Sequence, residues 1–412
     1  MPLHKDTAPH IDFERLNSRL LEFGEIGRDD AGILTRLAAS NSDKEARDKL
    51  VKWLEGAGLE VQIDRIGNIF GIWNIDSDTA PLMMGSHIDT VINAGIYDGP
   101  YGVLAALSVI EALKANQFVP DRPLIVGAFT NEEGARFSPD MMGSLVYAGG
   151  LSTEDALAAE DGDGVSLGEE LARIGYDGKI EPGWITPSCF LELHIEQGPV
   201  LESEGVSIGA VADLQGISWQ KISITGVANH AGTTPTHLRR DAGLVAAQII
   251  TFLRDLVQES AGVATVGQLN LWPDVINVVP GKAQLTVDLR DPDEMLLRER
   301  ERSLAEFLLD LQEEHAVKIE TEQLARFDPV VFDEQLVELI ENSASVRDLS
   351  CRRMTSGAGH DAQMIARMCP SAMIFVPSRN GVSHNPLEFT EPSALAAGAQ
   401  VLLDSVYRIT ER

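Results

Sequence analysis

Short apolar runs alternate with helical spacing through the first half of the chain. Residues 82–85 are an uninterrupted apolar run and predict a buried strand; 102–116 carry the period of a helix, 123–130 predict a second strand and 190–194 a third. This alternation implies an α/β domain with helices on both faces of a largely parallel sheet. Residues 152–183, acidic and rich in glycine, read as a surface excursion before the third strand.

From about residue 212 the pattern changes. Strands predicted at 218–225, 265–271, 283–289 and 317–322 surround long helices at 239–258 and 293–314, the β-α-β-β-α-β order of a ferredoxin-like unit. The first pattern then resumes, with a helix at 333–346, a strand at 372–377 and a final helix from Pro392. The expected organisation is one domain of residues 1–211 and 328–412, interrupted by an inserted domain of residues 212–327.

Composition narrows the function classes. A chain of 412 residues exceeds what one core usually organises. Its 44% hydrophobic and 23% charged residues are ordinary for a globular protein, and no 18-residue apolar window suggests a membrane span. Thirty-three basic against 63 acidic residues give a formal charge of -30, which repels phosphate backbones and anionic lipid, so neither nucleic acid nor membrane is expected as a partner. Residues 1–12 lack the cationic and apolar regions of a secretory leader. Cys189, Cys351 and Cys369 form no C-x-x-C pair, so reduced thiols and a cytoplasmic location are expected.

Three of the nine histidines sit where predicted strands end beside acidic or turn residues. They are His87 in Gly-Ser-His-Ile-Asp-Thr, His194 in Glu-Leu-His-Ile-Glu-Gln-Gly, and His384 in Ser-His-Asn-Pro-Leu-Glu. Imidazole and carboxylate together bind zinc-like ions, and strand ends of an open α/β sheet are where ligands converge. Asp89, two residues beyond His87, would lie on the same side of an extended segment and accept a hydrogen bond from the imidazole's other nitrogen. Asp98 lies just before a helix between a tyrosine and a glycine, where an N-cap or a ligand role are both open. Glu132 and Glu133 follow a buried strand, a costly place for two carboxylates unless a cation compensates them. One of the pair would ligate metal and the other take a proton from water; spacing leaves open which does which.

These motifs, together with Asp-Gly-Pro-Tyr-Gly and Thr-Asn-Glu-Glu-Gly-Ala-Arg-Phe, resemble the hydantoinase/carbamoylase branch of the two-metal peptidase superfamily that includes aminopeptidases, over nearly the whole chain. The resemblance implies an aminopeptidase-like mixed sheet flanked by helices, with the inserted domain acting as a lid and dimerisation unit that hinges near residues 212 and 328. It makes Asp98 the carboxylate shared by two divalent ions, with His87 and His194 on one ion, Glu133 and His384 on the other, and Glu132 as the general base. Zinc is implied, and manganese, cobalt or nickel suit the same donors. Gln197, Asn277, Arg290, Gly359 and His360 match substrate-binding positions, and His230, beside Gly232, matches the residue that polarises the scissile carbonyl. Arg290 could grip a carboxylate through two parallel hydrogen bonds. The implied activity is hydrolysis of the carbamoyl C–N bond of N-carbamoyl-L-amino acids by a homodimer. Allantoate and N-carbamoyl-β-alanine are alternative substrates, and dipeptide or aminoacyl cleavage is an alternative reaction on the same metal core.

Overall fold

The computed structural model describes residues 9–74, 79–258 and 261–411. The leader-free reading of residues 1–12 falls mainly on residues 1–8, outside the described residues. Two units divide the chain, Met1–Ala212 with Phe332–Arg412, and Asp213–Val331. The second unit begins and ends at a strand pairing, Leu214 opposite Val330 and Asp213 opposite Val331, which places the division slightly later than the apolar pattern does.

The first unit is built on a mixed sheet. Its main strands are β1 (Glu60–Ile63), β2 (Ile69–Trp73), β3 (Leu82–His87), β4 (Leu124–Phe129), β5 (Cys189–Ile195), β6 (Ile208–Leu214) and β7 (Ser371–Val376), and Cys351–Ser356 also pairs with β6. They run in the order β6-β7-β5-β3-β4-β2-β1. The inner strands β7, β5, β3 and β4 are parallel, and β6, β2 and β1 join antiparallel at the two edges. Every residue of β3, β4, β5 and β7 is buried, which is why these segments read as continuous apolar runs rather than alternating ones.

Helix α1 (Pro100–Ala115) packs on β3, β4 and β5, and α2 (Pro392–Thr410) packs on α1, β5 and β7. Helix α1 is buried nearly all round, so it sits inside the unit. The acidic stretch 152–183 is more than a surface excursion. It carries the helices Thr153–Leu157 and Leu167–Ile174, the second with a Ser166–Glu169 capping box and with Leu167, Leu171 and Ile174 buried.

The second unit has an antiparallel sheet in which Lys282–Asp291 lies between Gly216–Thr225 and the short strands Val263–Thr265 and Leu269–Trp272, with Lys318–Phe327 on the far side of Gly216–Thr225. Ala283, Leu285, Val287 and Leu289 point to one face and are buried with Val245, Ile249, Leu304 and Leu308 from the helices Ala242–Val257 and Glu294–His315. The strand predicted at 265–271 is broken at residues 266–268, where Gln268 instead exchanges hydrogen bonds with Thr286. The helix predicted from 239 begins at Ala242, because Asp241 caps it by accepting from the Gly243 and Leu244 N–H groups at 2.9 and 3.1 Å. Among the described residues no helix is long and apolar enough to cross a membrane.

Candidate metal centre

The carboxyl ends of the four parallel strands converge on one place, as the topology of an open α/β sheet favours. His87 ends β3 opposite Phe129, the last residue of β4; Glu132 and Glu133 follow that strand. His194 lies near the end of β5 opposite Phe375 of β7, and the chain beyond β7 turns back to present His384. Asp98 stands two residues before α1, in the middle of these groups.

The ligand atoms of His87, Asp98 and His194 lie within 4.8 Å of one another, and so do those of Asp98, Glu133 and His384. One oxygen of Asp98, Oδ1, is 3.6 Å from His87 Nε2 and 3.2 Å from His194 Nε2. The other, Oδ2, is 3.3 Å from His384 Nε2, which is itself 3.2 Å from Glu133 Oε2. His87 and His194 are buried, whereas the His384 side chain is half exposed. The Nδ1 atoms of His87 and His194 lie 3.0 and 2.9 Å from the backbone carbonyls of Asp89 and Ile195. Those acceptors place a proton on Nδ1 and leave Nε2 turned toward Asp98. Gly99 has φ +80°, and a Cβ there would fall 2.4 Å from the His87 ring, so only glycine lets the Asp98 loop approach this closely.

Electrostatics fit a cation at this place. Burial disfavours the charge on Asp98, yet hydrogen bonds from His194, His384 and His87 hold its carboxyl well below the usual range. Asp98 and Glu133 raise His384 to about 10 by hydrogen bonding. Burial works against charge on His87, but Glu132, Asp98, Asp89 and Glu133 together raise it well above the usual imidazole value. Protons on imidazoles therefore hold the carboxylates together, and a divalent ion could take the place of those charges. The donors, three imidazoles with carboxylates and no thiolate, fit such ions.

Glu132 is buried, with Oε2 3.4 Å from His87 Nε2. Burial pushes it well above the usual carboxylate range, with Asp361, Glu133 and Asp98 adding repulsion against the attraction of His87. Asp89 corrects one sequence expectation. Its carboxylate lies 3.9 Å from His87 Nδ1, which is held by the Asp89 carbonyl instead. The carboxylate oxygens accept from the backbone N–H groups of Glu132 and Glu133, at 3.2 and 3.3 Å. Asp89 thus fixes the loop that carries both glutamates.

Gln197, at φ +57°, donates from Nε2 to Asp98 Oδ2 at 2.8 Å. His360 is buried edge-on against His194, with ring centroids 4.6 Å apart, and among the described residues its Nε2 has no hydrogen-bond partner. At Gly359 a Cβ would meet Met141 at 2.7 Å. In the second unit, His230 lies in a short strand opposite Val278, and the carbonyl of Asn277 accepts from the Ala231 N–H at 2.9 Å, so these two exposed residues are neighbours. The Gly232 N–H donates to His230 Nδ1 at 3.1 Å. Arg290 is half-buried and carries Asp288 on its Nε and Nη2 atoms, at 2.9 to 3.1 Å.

Glu192 and Glu388, both buried near the candidate metal centre, were not picked out from the sequence. Glu192 accepts from Ser86 Oγ at 2.7 Å and from the Ala362 N–H at 2.8 Å; its spacing of two from His194 on one strand was the available signal. Glu388 lies inside the His384 motif, where nothing in the spacing distinguishes it from an exposed turn residue.

Residues 83–408 match the Peptidase family M20/M25/M40. The chain is similar to the N-carbamoyl-L-amino acid amidohydrolase of Geobacillus stearothermophilus, 38% identical over 97% of this chain and 99% of the relative. It is similar to the allantoate amidohydrolase of Bacillus subtilis, 35% identical over 93% and 95% of the two chains. Among solved structures, a hydantoinase/carbamoylase family amidase from Burkholderia multivorans matches with a TM-score of 0.95 at 39% identity, over 98% of this chain and 99% of that one. The chain belongs to the M20/M25/M40 peptidase family, in its hydantoinase/carbamoylase branch.

Proposed function

We propose that the chain is a metal-dependent amidohydrolase that opens the carbamoyl C–N bond of N-carbamoyl-L-amino acids, yielding amino acid, ammonia and carbon dioxide. The observation that carries this reading is the pair of ligand groups sharing Asp98, with the unshared carboxylate of Glu132 beside them. His87, Asp98 and His194 would hold one divalent ion, and Asp98, Glu133 and His384 a second. Zinc, manganese, cobalt or nickel fits these donors. Bound there, the ions supply positive charge that acidifies water and polarises a carbonyl. Glu132 takes the proton of the attacking water and returns it to the leaving nitrogen. Asp89 keeps Glu132 in place through its backbone N–H.

His230 polarises the carbamoyl oxygen, and Gln197, Asn277, Gly359 and His360 recognise the ureido group. Arg290 receives the substrate carboxylate. The strand and helix order of residues 213–331 supports a ferredoxin-like unit, to which we assign the lid role and homodimerisation. A cytoplasmic location accords with three free cysteines. Similarity to an allantoate amidohydrolase makes allantoate the second substrate to weigh.

The test is ammonia release from N-carbamoyl-L-amino acids, allantoate, N-carbamoyl-β-alanine and dipeptides, after reconstitution with each metal. The highest kcat/KM is expected on an N-carbamoyl-L-amino acid; a dipeptide turned over faster than every ureido compound would sink the reading.

Metal affinity should rise with pH. His384 is raised from 6.5 to about 10 in the metal-free protein, so the stability its proton contributes is present below 6.5 and is lost only as pH rises through 10. An ion taking its place must displace that proton at neutral pH. Calorimetry in buffers of different ionisation enthalpy should therefore show proton release and, for the ion held by Asp98, Glu133 and His384, about a tenfold gain in affinity per pH unit between pH 6 and 8. A pH-independent affinity would exclude His384 as a ligand.

A further inference from the structure

Glu388 is a buried carboxylate, 6% exposed, four residues beyond His384. Its Oε1 accepts from the backbone N–H groups of Tyr97 and Asp98, at 3.0 and 3.2 Å. Its Oε2 lies 2.9 Å from Ser383 Oγ, and the same hydroxyl lies 2.9 Å from Asp98 Oδ2. The Asp98 loop wraps tightly over this side chain, since a Cβ on Gly95 would fall 2.2 Å from Glu388 Oε1. Ser383 adjoins His384, whose backbone is held at φ +51°, a conformation that costs a non-glycine residue about 1–3 kcal/mol and persists only where its surroundings fix it.

We infer that Glu388 is a positioning residue that clasps the Asp98 loop to the His384 loop and so sets the affinity of the second, more exposed metal position. The inference rests on the metal reading above. Two consequences follow from the geometry. The orientation of Asp98 is fixed from its backbone side by Glu388 Oε1, so the shared carboxylate need not be ordered when an ion arrives. The Ser383 hydroxyl has one proton and two acceptors. An Asp98 oxygen engaged with a cation is the poorer acceptor, and the proton then has Glu388 to turn to instead of being stranded. The position held by His87 and His194 depends less on this clasp, because both rings are buried and anchored on backbone carbonyls.

The experiment is a calorimetric titration of the metal-stripped full chain with zinc or manganese, alongside kcat and KM at low and excess metal. Glu388→Ala should weaken the second ion about tenfold, in the range that loss of an outer hydrogen-bond partner produces. The first ion should change less than about threefold, KM should stay near wild type, and excess metal should restore kcat. Glu388→Gln should recover most of the affinity, since its amide oxygen still accepts from Tyr97 and Asp98 while its NH2 group donates to Ser383. Two ions bound as tightly in Glu388→Ala as in wild type overturn the clasp, and so does equal weakening of both. A wild-type chain that binds no divalent ion overturns the metal reading itself. If Glu388→Ala does not fold, Ser383→Ala removes only the hydroxyl link; it should weaken the second ion severalfold, and wild-type affinity in that variant overturns the clasp.

Discussion

Glu132→Gln is expected to lower kcat on N-carbamoyl-L-amino acids by about a thousandfold while KM moves less than about threefold and both ions stay bound. General acid and base catalysis by one positioned group contributes roughly 10² to 10⁴ in rate. The amide keeps the volume and the backbone hydrogen bond to Asp89 but cannot take a proton from water. Burial, with repulsion from Asp361, Glu133 and Asp98, places the Glu132 carboxyl well above the usual range in the metal-free protein. Its neighbour Glu133 reaches His384 at 3.2 Å, and Glu132 reaches His87 at 3.4 Å. The two adjacent carboxylates therefore face different imidazoles, and only Glu133 belongs to a cluster that converges on Asp98 and His384. Steady-state kinetics with metal analysis of the same sample decides the matter. A Glu132→Gln protein that loses an ion in proportion to its loss of rate would make Glu132 a ligand, and the base would have to be sought elsewhere.

Much of the candidate site was legible in the sequence because its residues lie at or just past the end of a buried strand, where a short motif carries both the strand signal and the polar residue. His87, His194 and the Glu132–Glu133 pair are of this kind, and the turn motif around His384 singled it out beside them. The resemblance was needed to divide the roles of Glu132 and Glu133 and to make Asp98 the shared carboxylate, since a residue before a helix looks alike whether or not it faces a metal. Period-two spacing put Asp89 on the side of His87, but it does not specify a torsion, and the carboxylate rotates away to cap the Glu132 loop. Glu388 was hidden for another reason: its partners Tyr97 and Asp98 are 291 and 290 residues away, and no local pattern reports a contact of that range. The antiparallel edges of the main sheet went unread as well. β1 is exposed or half-buried along its length, so it lacks the apolar run that betrays the inner strands.

Arg290→Ala should raise KM for carboxylate substrates about a hundredfold with little change in kcat or metal content. Residues 288 and 290 share one face of the strand Lys282–Asp291, opposite the face buried by Leu285, Val287 and Leu289. Asp288 lies along the Nε and Nη2 side of the guanidinium, which fixes its plane. Hydrogen bonds to charged groups contribute about 1.5–3 kcal/mol each, and two of them at the lower end of that range account for about two decades in affinity. Arg290→Lys keeps the charge but loses the planar fork, so a smaller rise, about tenfold, is expected. Stability should hardly change in either variant, because the Asp288 side chain is 29% exposed and the pair contributes little to folding. The decisive comparison uses N-carbamoyl amino acids against their carboxamides, which lack the carboxylate. Wild type should prefer the acids and Arg290→Ala should not. A loss that falls equally on acids and carboxamides would mean that Arg290 supports the site as a whole, and carboxylate recognition would pass to another cation.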